Sequence, residues 1–340
     1  MQQPNRRRFL VLAAGGLGAA ALGGAVWRRI SAPLETTRRT TFALGTQVSV
    51  TARHADPAHA NVAIDDALDE LAYIEHRLLS IYQPESQISR LNRDGCLCDP
   101  SPLVVYVLRH AQALSRQTTG AFDITVQPLW EAFAAAAKRG ESPDVSTVAA
   151  ARRKVDWRQL EISDDRIRFR QPGMKLTLNG IAQGFATDRV LATLRGHGIE
   201  HALINVGEHA PLGESAAGDP WTVGIQHPRN EDAYVALTDL DGRCLATSGD
   251  YATTFSPDRA SNHIFDPRTG YSPTELASVS VLAPSAMQAD ALSTALFVVG
   301  PDRGLELIRR TPNTDAFFVL KNGSAIATPG FPLVEEGSVS

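Results

Sequence analysis

The sequence predicts an α+β fold in which mixed, largely antiparallel sheets are flanked by helices. Three observations carry that expectation. Short alternating stretches come in hairpin pairs around turn-rich breaks, at 159–170 about Ser163-Asp164-Asp165 and at 314–327 about Asn322-Gly323. Segments with helical spacing interrupt them without the strict strand–helix alternation of a doubly wound sheet. A G-x-G-x-x-G turn after the first strand and a Walker loop are both missing, so a bound nucleotide is held in another way.

The chain opens differently from its body. Arg6, Arg7 and Arg8 precede Phe9-Leu10 and a Gly/Ala-rich run, and Arg28-Arg29 follow it. That order reads as an export signal, and Arg6-Arg7-x-Phe9-Leu10 resembles the twin-arginine type, which points to the periplasm. The run falls short of ~20 strongly apolar residues, yet no A-x-A site closes it. A cleaved signal and an inner-membrane anchor at residues 1–30 both fit. Residues 31–40 read as a polar linker and 41–334 as the folded domain.

Residues 41–53 alternate as a strand, with Gly45-Thr46 as a bulge. Val62, Leu68, Leu71, Ile74 and Leu78 recur at helical spacing over 58–80, and Pro84 forbids continuation. A second amphipathic helix spans 102–117, with Gly120 beyond its end. Helices at 130–139 and 145–154 form a more polar insert. Lys175 to Leu178 reads as a strand, and Asn179-Gly180 opens a helix to about Gly196. Strands follow at 201–206, 221–226, 233–239, 243–247 and 278–282, then helices at 286–299 and 303–310.

Composition bounds the function classes. The 340 residues are 43% hydrophobic, enough for a sizeable core, and the net charge of −4 without a basic run argues against a nucleic-acid partner. Three cysteines give no disulfide framework, and Cys96-x-Cys98 is too tight for a usual zinc knuckle.

The stretch with the most chemistry is 262–294. Asp290 and Thr294 are four apart on an otherwise apolar helix, which puts both oxygens on one face. Hard oxygen ligands suit Mg²⁺ or Ca²⁺ rather than zinc. The competing reading is a hydrogen-bonded helix start. His263 titrates near neutrality and is able to take a proton from a hydroxyl, or serves as a structural histidine. Asp266-Pro267 fits a type I turn. Elsewhere, Tyr82 in a polar turn suits stacking on a flat ring, and Asp123 suits a ribose or amine, or a cap. The Asn179–Ala186 helix start offers free N–H groups to a phosphate, or tight packing. No G-x-S-x-G elbow supports a serine hydrolase.

Seven stretches in order resemble the ApbE family, the FAD:protein FMN transferases. They are Leu44-Gly45-Thr46; Ser80-Ile81-Tyr82-Gln83-Pro84-Glu85-Ser86 with Ile88-Ser89-Arg90-Leu91-Asn92; Thr119-Gly120-Ala121-Phe122-Asp123-Ile124-Thr125-Val126; Asn179 to Ala186; Ala246-Thr247-Ser248-Gly249-Asp250-Tyr251; His263-Ile264-Phe265-Asp266-Pro267-Arg268-Thr269-Gly270; and Ala283-Pro284-Ser285-Ala286 with Ala289-Asp290-Ala291. The resemblance implies a T-fold-type architecture. It also implies Mg²⁺-assisted cleavage of FAD, release of AMP, and FMN esterified to a threonine of an acceptor flavoprotein. Carried over by position, Asp290, Thr294 and the main-chain carbonyl of Gly180 hold the metal, with Ser293 assisting. Leu44, Tyr82, Ala121, Phe122, Asp123, Thr177, Gln183 and Phe265 contact FAD, and His263 is the base on the incoming threonine.

Several positions depart from the pattern. Thr177 stands where aspartate is usual, Asn179 for glycine, Gln183 for lysine or glutamate, Glu208-His209 for Gly-Asp, and Asn262 for the first of two histidines. With the export signal they resemble the branch serving respiratory nitrous-oxide reduction, whose acceptor is a membrane-bound respiratory flavoprotein. The altered Thr177 and Gln183 keep two alternatives open: a non-catalytic FAD-binding protein, and a pyrophosphatase giving FMN and AMP.

Overall fold

The structure, a computed structural model, describes residues 33–334; the expectations for residues 1–30 lie outside the described residues. From Leu34 onward the chain forms one unit, built on an eight-stranded sheet in which every neighbouring pair is antiparallel. The expected α+β class is the one observed.

The first strands correct two expectations. Residues read as linker already pair: β1 (Glu35–Ala43) and β2 (Thr46–His54) form a hairpin rather than one bulged strand. Leu44 and Gly45 make its turn, with φ of 50° and 77°, the left-handed geometry that two-residue hairpin loops require. Helix α1 (Pro57–Tyr73) starts where Asp56 accepts from the amides of Ala58 and His59 and Pro57 fills the first turn. Its expected last turn is instead π-helical, Ile74–Leu79. Helix α2 (Gln87–Asp94) and strand β3 (Cys96–Cys98) were not expected. Helix α3 (Pro102–Gln117) has the predicted bounds, with Ser101 as its cap.

The insert is less polar than its sequence suggests. Helices α4 (Gln127–Ala137) and α5 (Val145–Arg152) bury Leu129, Phe133, Val148 and Ala151 around Phe265. Strands β4 (Leu160–Ile162) and β5 (Arg166–Phe169) form the expected hairpin and pair with β3 in a separate small sheet. No strand forms at 175–178. That segment is extended but bonds singly, through Thr177 N–H to the Ile124 carbonyl and through Leu176 to the Asn92 side chain.

The second half supplies most of the large sheet: α6 (Ala182–Gly196), β6 (His201–Asn205), the unexpected β7 (His209–Leu212), β8 (Trp221–His227), β9 (Asn230–Leu240), β10 (Cys244–Gly249), β11 (Leu276–Ala283), α7 (Ala286–Val299), α8 (Pro301–Arg309), β12 (Asp315–Leu320) and β13 (Ala325–Ala327). The sheet order is β1-β2-β6-β7-β10-β11-β12-β13. Helices α1, α6 and α7 cover one face over Val48, Val50, Ile204, Val279 and Val281, while the β8–β9 hairpin covers the other over Leu282, Phe317 and Val319. Strand β11 is buried at every position, which is why its sequence is nearly continuously apolar.

The sheet has one weak seam. Strands β7 and β10 pair only at His209 and Leu245. Beyond that pair the ladder stops, and Thr247 N–H donates to the carboxylate of Glu208 at 3.1 Å instead. A side chain thus takes the place of a backbone acceptor at the middle of the sheet.

Candidate functional site

The site opens at this seam. Helix α7 is capped by Ser285 and, across the helix pair, by Asp188, whose carboxylate accepts from Ala286 and Met287 N–H at 2.7 and 3.0 Å. Asp290 is therefore not needed at its own helix start. Its Oδ2 accepts from Gly184 N–H at 2.9 Å, in the first turn of α6, which has no side-chain cap of its own. This contact demands glycine. A Cβ at Gly184 would lie 2.3 Å from the Ala286 carbonyl and 2.7 Å from the Asp290 Cβ. At Gly180 it would lie 2.8 Å from Thr294 Oγ1. The two glycines bring the start of α6 against Asp290 and Thr294.

Ser248 on β10 completes the cluster. Its Oγ lies 2.7 Å from Ser293 Oγ and 3.0 Å from Thr294 Oγ1. Ser293 is fully buried and donates to the Asp290 main-chain carbonyl, so it braces Ser248 from behind. All the other residues implied by the resemblance line one cavity of about 860 Å³: Leu44, Tyr82, Ala121, Phe122, Asp123, Thr177, Gly180, Gln183, His263, Phe265, Asp290 and Thr294.

The cavity wall has a distinct charge pattern. It carries the carboxyl groups of Glu75, Asp123, Glu208 and Asp290 and the rings of His209 and His263, and no lysine or arginine among the described residues. Burial, with the nearby Asp188 charge, pushes Asp290 up to about 7. Burial first and the Asp290 charge second push Glu208 well above its ordinary range. Neither carboxylate has an ion-pair partner among the described residues. Buried acids without a counter-charge keep a proton or take a cation.

Asp123 is satisfied differently. Its Oδ1 accepts from Thr125 N–H and Oγ1 at 2.8 and 2.6 Å, and its Oδ2 from Trp157 N–H at 3.1 Å. Burial outweighs these bonds and raises its carboxyl to about 6.

His263 Nδ1 lies 3.2 Å from the Thr253 carbonyl. A carbonyl only accepts, so Nδ1 carries the proton and Nε2 keeps its lone pair. Burial lowers its pKa and favours the neutral ring, against the opposing pull of the Thr253 bond and the Asp250 charge. Asn262, fully buried, fixes this loop: it bonds Ser272, Ile264 N–H and the Arg259 carbonyl. The Asp266 turn closes as expected, with Thr269 N–H on the Asp266 carbonyl. Phe265 packs on Phe133 at 5.0 Å between ring centroids. At the mouth, Gln183 Nε2 donates to the Leu44 carbonyl at 3.3 Å, Phe42 and Tyr82 are exposed, and Ser86 and Ser89 hold the Tyr82 turn through the Ser80 carbonyl.

The model of the ApbE family matches residues 44–318. The chain belongs to the ApbE family. The FAD:protein FMN transferase of Salmonella typhimurium is 32% identical over 265 residues, covering 74% of this chain and 75% of its own. The crystal structure of Pseudomonas stutzeri flavinyl transferase ApbE superposes with a TM-score of 0.76 at 31% identity, over 87% of this chain and 95% of that one. The ApbE protein of Thermotoga maritima gives 0.78 at 26% identity, over 87% and 97%. Residues 1–31 match a second model, the twin-arginine signal of the ubiquitinol-cytochrome c reductase Fe–S subunit. That match concerns the signal alone. Among the described residues no helix is long and apolar enough to cross a membrane.

Glu208 and Asp188 had no role in the sequence reading, whereas Ser248 lies in one of the ordered motifs and Gly184 in the helix start read as facing a phosphate or packing tightly, the second of which its contact with Asp290 bears out. Glu208 registered only as a departure from the family pattern. Asp188 acts through a contact between α6 and α7, which no local spacing encodes.

Proposed function

We propose that this chain transfers FMN from FAD to a threonine of an acceptor flavoprotein, with Mg²⁺ and release of AMP, outside the cytoplasmic membrane. The observation that carries the reading is the single cavity into which the ordered motifs converge, lined by buried Asp290 and half-buried Thr294 and, among the described residues, by no basic side chain. A pyrophosphate entering such a wall needs its charge neutralised from outside the protein. The oxygens present fit a hard cation: the Asp290 carboxylate with one oxygen unused, the Thr294 hydroxyl and the Gly180 carbonyl, with Ser293 assisting through Ser248. Where bound, the cation supplies neutralisation of the pyrophosphate oxygens.

The chain's own groups do the remainder. His263 Nε2 takes the proton from the threonine hydroxyl. The threonine oxygen bonds to the phosphorus of the FMN half, and the bridging oxygen leaves with AMP. Exposed Tyr82 offers a ring face to the flavin at the mouth, and Gln183 offers an amide N–H without charge. Phe265 and Phe122 line the apolar wall. The acceptor's loop closes the mouth and keeps water from the phosphorus. The twin-arginine match supports export to the periplasm, where Ca²⁺ competes with Mg²⁺ for the same oxygens.

The test is incubation with FAD, Mg²⁺ and an acceptor domain bearing the threonine, read by mass. A gain of one FMN on the acceptor is expected. Free FMN and AMP without the adduct would make the chain a pyrophosphatase, and intact FAD a binding protein.

A further inference from the structure

We propose that Glu208 is a second carboxylate ligand of the divalent cation, set with Asp290 at the open seam between β7 and β10. This rests on the cation reading above and extends it to a residue that no family motif supplied.

Glu208 is 5% exposed and lines the cavity. Its Oε2 is fixed by Thr247 N–H, and its Oε1 has no hydrogen-bond partner among the described residues. Asp290 has the same arrangement, with Oδ2 on Gly184 N–H and Oδ1 unmet. Each carboxylate is thus aimed by one main-chain donor and leaves one oxygen toward the cavity. The anchors are close: Thr247 precedes Ser248, whose hydroxyl touches Thr294 Oγ1. Glu208 and Asp290 line the same cavity. The tight turn that delivers Glu208 depends on Gly207, at φ 92°, and a Cβ there would strike the Gln183 side chain at 2.9 Å.

Two buried carboxylates with no lysine or arginine between them make a poor structural pair, because each raises the cost of ionising the other. As ligands they bring two negative charges to a dication, with hydroxyl and carbonyl oxygens completing the set. A site of this charge holds its cation before FAD arrives. The pyrophosphate then adds to a loaded centre.

The experiment uses the FAD-free full chain and three variants, Glu208→Gln, Glu208→Asp and Asp290→Asn. Mn²⁺ binding is read by electron paramagnetic resonance, Mg²⁺ binding by calorimetry, and melting is followed in chelator and in Mg²⁺. Glutamine still accepts from Thr247 N–H, so it keeps the structural contact and removes only the charge. We expect wild type to bind one Mn²⁺, and Glu208→Gln and Glu208→Asp to weaken it by roughly 10- to 100-fold. We also expect Glu208→Gln to melt above wild type in chelator and to gain less from Mg²⁺. Unchanged Mn²⁺ affinity in both Glu208 variants, with binding lost in Asp290→Asn, would overturn the role of Glu208 and leave the cation at Asp290. No binding or melting shift in wild type would overturn the cation reading itself, and Glu208 with it.

Discussion

Asp123 and Asp290 line one cavity and look alike by burial. Both are over nine-tenths buried and both carboxyl groups are raised, to about 6 and about 7. They differ in their donors. Asp123 accepts three hydrogen bonds, from Thr125 and Trp157, and so ties the loop at 119–125 to the turn at 157. Asp290 accepts one, and at the seam Glu208 also accepts one. Burial alone therefore does not mark the reacting centre. Burial with unmet acceptors does, because an unsatisfied carboxylate in a dry wall is tolerated only where a ligand completes it. On the proposed reading, Asp123 braces the loop at 119–125 and Asp290 serves the chemistry.

The largest test of that contrast is Asp290→Asn. It is expected to lower FMN transfer at least about 10³-fold, with the response to added Mg²⁺ abolished. A variant that kept wild-type rate and Mg²⁺ dependence would remove Asp290 from the chemistry. His263→Ala is expected next, at about 10²-fold in transfer with FAD affinity retained. If its rate held while the Mg²⁺ response stayed normal, the proton acceptor would have to be sought elsewhere on the wall.

The titration of Asp290 gives a third test, on stability. Its folded carboxyl is raised to about 7 from an ordinary 3.8. The folded state then holds the proton more tightly than the unfolded chain. Its contribution is fully present below the ordinary value and is lost as pH rises through about 7. In chelator, Asp290→Asn should therefore gain stability relative to wild type between pH ~4 and ~8, by a few kcal/mol. Denaturant midpoints across that range measure it, and a difference that did not change with pH would mean that the Asp290 carboxyl titrates alike in the folded and the unfolded chain.

Two substitutions probe the scaffold. Gly184→Ala drives a methyl into the Ala286 carbonyl and the Asp290 side chain, at a cost of about 1–3 kcal/mol. Transfer should fall with it, since α6 and α7 must part. Asp123→Asn sets an amide N–H against the Trp157 N–H and should cost about 1–3 kcal/mol in thermal or denaturant stability. Cation affinity should be unaltered; if Asp123→Asn weakened Mn²⁺ binding as Asp290→Asn does, the division between bracing and chemical carboxylates would fail.

Much of this was legible in the sequence. Capping and periodicity gave α3 and α7 their bounds: Ser101-Pro102 opens one, and Ser285 opens the other before a run of apolar residues closed by Gly300. The Asp290–Thr294 spacing put two oxygens on one helix face, and the ordered motifs pointed to one site. Short elements escaped. Strand β7 has four residues, begins with His209 directly after the turn and carries Pro211, so it has too little alternation to register. The segment at 175–178 has strand composition but no neighbouring strand, and its polar groups go to Ile124 and Asn92 instead. Leu44 occupies a left-handed turn despite its branched side chain, which hid the β1–β2 hairpin behind an apparent bulge.

The sequence by itself determined the fold class, the family and the residues that gather around the cavity, because periodicity, caps and motif order are properties of a chain read in one dimension. Only the tertiary structure decided which acids are satisfied. Asp290 finds its donor in Gly184 and Glu208 in Thr247, partners 106 and 39 residues away. A hydrogen-bond deficit is a property of the packed neighbourhood, so it emerges only when α6, α7 and the open β7–β10 seam come together.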